Sequence, residues 1–223
     1  MKIQTAENVL KANDAVAAGN RRILAGSKLL AVNLMSAPGS GKTTLLEKTL
    51  ARLRPDHPAA VLVGDLQTSR DAERLDGLAV ETIQINTGTG CHLSAPQVAQ
   101  AIAEIDLTAL EYLFIENVGN MVCPAAFDLG EHRKVGLLSV PEGDDKVAKY
   151  YTLFQQADAV LLTKIDLIGV LDFNEQRVRD DLAKLNTRAP FVRISARTGE
   201  GLDEWIAWLR EQRAAVIAER GGQ

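Results

Sequence analysis

Cysteine, histidine and aromatic residues are all scarce in this chain of 223 residues: two Cys, three His, and 4% Phe, Trp and Tyr together. Two cysteines cannot build a disulfide framework and read as reduced thiols. So few aromatics exclude the stacking platforms of single-strand nucleic-acid binders. Positive charge is not in excess either. The formal net charge is −4, which excludes a global basic field for nucleic acid or anionic lipid. Apolar runs are short, and none approaches the about 18 residues of a membrane span. Residues 1–7, Met-Lys-Ile-Gln-Thr-Ala-Glu, lack the apolar core of a signal peptide. These absences predict a cytoplasmic protein with neither a nucleic-acid nor a membrane partner.

What is present suits one generous α/β domain: 46% hydrophobic and 24% charged residues. Residues 6–24 carry an imperfect helical stripe of Val9, Leu10, Val16, Ile23 and Leu24, with Gly26 as its stop. Beyond it, strand-like runs at 29–35, 59–63, 80–85, 112–116, 135–140, 158–162 and 190–194 alternate with helical patterns. Those patterns fall near 43–54, 68–76, 95–106, 144–156, 172–186 and 201–218. Such alternation predicts a mostly parallel sheet with helices on both faces. The division expected is an N-terminal helical segment (1–26) packed on the domain, a nucleotide-binding domain (27–218) and a frayed tail (219–223).

Residues 36–43 read Ser-Ala-Pro-Gly-Ser-Gly-Lys-Thr, directly after the first strand-like run. This is a phosphate-binding loop with a strand before it and a helix after it. Gly39 and Gly41 let the backbone wrap close to phosphate oxygens. The N–H groups of the loop, from Gly39, Ser40 and Gly41 to Thr44, supply positive potential with the following helix N-terminus. Lys42 is placed to reach the β- and γ-phosphates and Thr43 to put its hydroxyl on magnesium. Ser36 stands where the motif has its first Gly.

Thr163-Lys164-Ile165-Asp166 ends a later strand. A carboxylate at Asp166 can accept both donors of guanine, a pair that adenine does not offer. Ile194-Ser195-Ala196-Arg197 resembles the loop whose backbone meets the guanine oxygen in GTPases. Together they favour GTP and GDP over ATP. The usual tetrad begins with Asn, and Thr163 in its place is expected to weaken a brace between the base loop and the phosphate loop.

Asp65 and Glu116 each end a strand, so both should face the phosphate loop. With Thr43 they are the expected surroundings of magnesium, which takes oxygen ligands. Asp71 is assigned a water or switch role, or simply favours an early helical turn. In Glu116-Asn117-Val118-Gly119-Asn120 no Gln follows the Gly to hold an attacking water, and no arginine finger stands out. The catalytic set Lys42, Asp65, Asp71 and Glu116 is therefore expected to hydrolyse GTP slowly.

The only two cysteines follow sheet strands, Cys91 beside His92 in one loop and Cys123 in another. Thiolate and imidazole suit nickel or zinc. Three ligands leave a shell that water or a second subunit must complete. On composition alone, two buried thiols and a loop histidine is the plainer reading.

Longer strings decide between these. Ile85-Asn86-Thr87-Gly88-Thr89-Gly90-Cys91-His92-Leu93 and residues 117–130, Asn-Val-Gly-Asn-Met-Val-Cys-Pro-Ala-Ala-Phe-Asp-Leu-Gly, resemble the metal segments of HypB-type GTPases. Residues 64–72 and Glu142-Gly143-Asp144-Asp145-Lys146 also match that family. The resemblance runs from about residue 5 to about residue 210. It implies a P-loop fold and a homodimer promoted by GTP, with metal held by Cys91, His92 and Cys123 near its interface. It also implies nickel delivery to a hydrogenase large-subunit precursor, with a HypA-type zinc protein as partner. No Cys precedes Cys91 and His57 is the only earlier His, so no N-terminal metal-storage function is expected of these residues. Leu167-Ile168-Gly169-Val170-Leu171 is offered as part of the interface, or as the seat of the next helix. Competing readings are a urease-type nickel GTPase, although its Cys-Pro-His string is absent, a P-loop small-molecule kinase, and a non-catalytic metal-binding module.

Overall fold

The computed structural model describes residues 6–54, 56–65 and 70–221. Seven strands form one sheet: β1 (Leu30–Met35), β2 (Ala59–Asp65), β3 (Glu81–Asn86), β4 (Tyr112–Glu116), β5 (Arg133–Ser139), β6 (Ala159–Thr163) and β7 (Phe191–Ile194). Their order is β3-β2-β4-β1-β5-β6-β7 and every pairing is parallel. The chain leaves β1 in the middle, fills one side, then returns to fill the other. That reversal opens a crevice at the carboxyl end of β1, where such sheets bind ligands.

The helices are α1 (Ala6–Gly26), α2 (Lys42–Leu53), α3 (Arg70–Leu75), α4 (Ala95–Ile102), α5 (Cys123–Ala126), α6 (Lys146–Lys149), α7 (Tyr151–Gln156), α8 (Glu175–Leu185) and α9 (Leu202–Gly221). They cover both faces. Leu30, Val32 and Leu34 of β1 point into a core shared with α2 and α9, while Ala31 joins the core under α1 and α4. Every residue of β1 is buried, so both faces of that strand need apolar or paired side chains. The Trp205 indole of α9 donates to Thr49 of α2 at 3.0 Å, which satisfies its one polar atom inside the first core.

Four differences from the sequence expectation have physical causes. The buried stripe of α1 is Asn13, Ala17, Asn20 and Leu24, whereas Val9 and Ile23 are exposed. The asparagines are tolerated inside because each is bonded. Asn13 donates to Asp128 O (2.7 Å) and accepts from Ala95 N (2.8 Å), and Asn20 donates to Leu129 O and Ala95 O (both 2.9 Å). Cys123 does not lie in a loop but opens the short helix α5. The helix expected over 144–156 is broken at Tyr150, whose backbone leaves the helical region (φ −113°, ψ 43°). Finally, α9 runs on to Gly221, and residues 222–223 of the expected tail lie outside the described residues.

Candidate functional site

The phosphate loop bridges β1 and α2. Gly39 (φ +75°) and Gly41 (φ +94°) both adopt left-handed backbone, which side chains resist. Ser36 has no such need and is buried; its hydroxyl accepts from Lys42 Nζ at 2.9 Å and donates to Ala37 O at 2.8 Å. The serine in place of the first glycine therefore parks the lysine over the loop. Thr43 donates to Glu116 Oε1 at 2.7 Å, and Glu116 Oε2 is buried with no partner. Burial raises Glu116 to about 7 and lowers Lys42, while the charge of each opposes the other's shift.

A cleft of about 420 Å³ is lined by Lys42, Thr43, Thr44, Asp65, Asp71 and Glu116. The expected magnesium and catalytic residues thus share one space. Leu66, Gln67, Thr68 and Ser69 of the expected switch segment lie outside the described residues. Arg74, absent from the sequence expectation, also lines this cleft. It donates to Thr44 Oγ1 at 2.9 Å and pairs with Glu47 at 2.8 Å. The signal for it was faint: a cation one helical turn after Asp71.

A second cleft of about 230 Å³ joins the first at Gly41, Thr44 and Lys164; Ser40, Asp166, Ala196 and Arg197 line it. Lys164 is the one described non-glycine residue with positive φ (58°), and its Nζ donates to Gly39 O at 2.6 Å. Asp166 accepts from the buried Ser195 hydroxyl at 2.7 Å, and Arg197 stands 3.7 Å away. The serine bond, ahead of the arginine, holds Asp166 below the usual carboxylate range. Thr163 donates to Ser40 O at 2.7 Å, so the brace expected to weaken is present. Glu142 adds another, accepting from Ser40 Oγ at 2.7 Å.

Cys91, His92 and Cys123 come together, with one ligand atom of each within 4.8 Å of the others. All three are partly exposed. Cys91 Sγ lies 3.6 Å from His92 Nδ1, and the His92 ring stacks on Phe127 at 3.8 Å. Burial lowers His92, which favours the neutral, ligating form. Hydrogen bonding to Cys91 is the largest cause holding the Cys123 thiol above its usual value. Two sulfurs and one imidazole nitrogen fit a borderline or soft divalent cation.

In the expected interface segment, Leu167 and Ile168 pack against the core. The surface is made instead by Val170 (75% exposed) and Leu171 (41%).

Residues 30–193 match the family described as CobW/HypB/UreG, nucleotide-binding domain. The chain is similar to the hydrogenase maturation factor HypB of Azotobacter chroococcum mcd 1, at 47% identity over 218 residues, covering 98% of this chain and 72% of the relative. Among solved structures, HypB from Helicobacter pylori in complex with nickel superimposes with TM-score 0.87 and 41% identity, covering 92% of this chain and 96% of that one. HypB from Archaeoglobus fulgidus gives 0.86 and 36%, covering 92% and 100%.

Proposed function

The chain belongs to the CobW/HypB/UreG family, among the HypB hydrogenase maturation factors, and from that premise we propose that it is a GTP-hydrolysing nickel metallochaperone. Its role is to insert nickel during [NiFe]-hydrogenase maturation, with nucleotide state coupled to the metal site. The observation that carries this reading is the meeting of Cys91, His92 and Cys123 within 4.8 Å in a chain whose phosphate and base clefts are continuous. Nickel is the cargo; zinc suits the same ligands.

Magnesium fits the phosphate cleft. The buried, unpartnered Glu116 Oε2 beside the Thr43 hydroxyl is a donor set for a hard cation, with Asp65 as the further carboxylate. Held by Thr43, Glu116 and Asp65, magnesium would supply positive charge that offsets the negative charge of the nucleotide's phosphates. The protein's own groups do the rest. Lys42 leaves Ser36 for the β- and γ-phosphates, and Gly39 to Thr44 cradle them with backbone N–H groups. Asp166 accepts from guanine, and the Ser195-Ala196-Arg197 turn closes over the base edge. In Glu116-Asn117-Val118-Gly119-Asn120 no Gln follows the Gly to hold the attacking water, so intrinsic turnover is slow, on the order of 10⁻⁴ s⁻¹.

In this reading the protein works in the cytoplasm as a homodimer promoted by GTP. Val170 and Leu171 contribute to the interface, a HypA-type accessory protein is a partner, and a hydrogenase large-subunit precursor is the client.

The test combines two measurements on one preparation. Single-turnover GTP hydrolysis is compared with Lys42→Ala. Anaerobic nickel and zinc titrations compare wild type with Cys123→Ser, in GDP and in a non-hydrolysable GTP analogue. Hydrolysis above the Lys42→Ala control, together with loss of metal binding in Cys123→Ser, is expected. Hydrolysis no faster than that control would leave a non-catalytic metal-binding module. ATP turnover with a small acceptor would point to a kinase instead.

A further inference from the structure

The segment that follows Glu116 carries two asparagines, and each holds one half of the Cys/His cluster. Asn117 is buried, and its Oδ1 accepts from Leu93 N at 3.1 Å, the residue after His92. Asn120 Oδ1 accepts from Val122 N at 2.7 Å and from Cys123 N at 3.4 Å. The backbone bearing Cys91 and His92 is therefore tied to residue 117, and the backbone bearing Cys123 to residue 120.

The amide orientation of Asn117 is fixed from behind. Its Nδ2 donates to Asn33 Oδ1 at 3.2 Å, and Asn33 Nδ2 donates to the buried Glu131 at 3.0 Å. Flipping Asn117 would set donor against donor at Leu93. Between the two asparagines lies Gly119, where a Cβ would stand 2.8 Å from the Cα of Pro38 in the phosphate loop. The 117–120 segment thus touches the phosphate loop in its middle and the metal ligands through its ends. Leu93 has a second seat, since a Cβ on Gly64 would meet its side chain at 2.7 Å. Gly64 precedes Asp65 as Asn117 follows Glu116.

We infer that Asn117 and Asn120 are the positioning residues that convert nucleotide state into metal-site geometry, one for the Cys91/His92 half and one for Cys123. The assignment rests on the coupled nucleotide–metal reading above. A shift of the phosphate loop against Gly119 displaces both asparagines. A buried Leu93 N–H follows its acceptor, because leaving it unpaired is costly. Cys91 and His92 then move relative to Cys123, and three ligands that fit one ion in one state fit it less well in the other.

The experiment measures the nickel dissociation constant in GDP and in GTP analogue, and takes their ratio. In wild type this ratio departs from one by about fivefold or more, the usual range of site–site coupling. Asn120→Ala, at a partly exposed position, brings it to within about twofold of one; Asn120→Asp keeps both acceptor contacts and restores it. A second measurement needs no substitution: hydrogen exchange at the Leu93 amide of metal-free protein changes when GDP is replaced by GTP analogue. A wild-type ratio of one sinks the coupled reading, and this assignment with it. A coupled wild type whose Asn120→Ala variant keeps the same ratio overturns the assignment alone, as does Leu93 exchange that is blind to nucleotide.

Discussion

The hydroxyl of Thr163 donates to the carbonyl of Ser40 at 2.7 Å, pinning the end of β6 to the phosphate loop beneath the site proposed for GTP. Thr163 is buried, so the bond is shielded from water. Thr163→Val keeps the shape and removes the donor, leaving Ser40 O short of a partner. That loss costs about 1–2 kcal/mol, which lowers GDP affinity about tenfold. Thr163→Ser retains the hydroxyl and should retain affinity. Calorimetric titration with GDP decides: a Val variant that binds like wild type means the brace does not shape the loop.

Gly119 offers the complementary test from the other side of the loop. Its backbone needs no left-handed conformation, so strain is not the issue. The issue is space, because a Cβ would lie 2.8 Å from Pro38 Cα, and backbone on both sides cannot yield cheaply. Overpacking of this kind costs about 1–3 kcal/mol. Gly119→Ala should therefore weaken GTP-analogue binding by about tenfold or more. Wild-type affinity in a folded Gly119→Ala protein would show that residues 117–120 and the phosphate loop move independently.

Much of this architecture is legible in the sequence because short-range physics dictates it. The buried β1 reads as an apolar run, and the glycines at 39 and 41 mark where left-handed backbone is needed. The base motif and the two metal segments are contiguous strings whose ends the parallel sheet carries to one edge. What sequence does not display is satisfaction at a distance. Asn13 and Asn20 look like solvent-facing residues until Asp128, Leu129 and Ala95 supply their partners. Thr163 looks like a weakened Asn until Ser40 lies opposite. Arg74 belongs to no motif read for chemistry, and Asn117 and Phe127 lie inside such strings with no role of their own assigned there; each matters through a neighbour more than 20 residues away, namely Thr44, Leu93 and His92.

Phe127 gives that last point an experimental form. Its ring stacks on His92 at 3.8 Å with an interplanar angle of 30°. The stacked face holds the imidazole in one plane, alongside the contact of its Nδ1 with Cys91 Sγ at 3.6 Å. Removing groups that orient a ligand typically costs 10–100-fold in metal affinity. Phe127→Ala should sit at the low end, about tenfold weaker for nickel, because Cys91 and Cys123 remain. Phe127→Tyr, which keeps the stacked face, should bind as wild type does. Equal affinity in Phe127→Ala would mean that the histidine is positioned by its own loop.

His132 predicts an acid-sensitive fold that is separate from the nucleotide and metal chemistry. Its Nδ1 accepts from Ala31 N at 3.0 Å, which puts the proton on a buried Nε2 that has no acceptor. A second proton on Nδ1 would face a donor. Burial, with a smaller push from Arg133, lowers the group to about 4, while Glu219 works the other way. The unfolded chain titrates near 6.5, so between the two values the folded state binds fewer protons. Stability is then fully present above about pH 6.5 and is lost as pH falls toward 4. Because the ring is only partly withdrawn from water, the effect is about 2 kcal/mol rather than the full linkage value. His132→Asn can present Oδ1 to the same Ala31 N–H without titrating. Urea unfolding at pH 7 and pH 4.5 should show wild type losing about 2 kcal/mol more than this variant. Equal losses would place the acid sensitivity elsewhere, and the buried Glu131 is no rescue. Burial raises Glu131, so its contribution is lost as pH rises, the opposite sign.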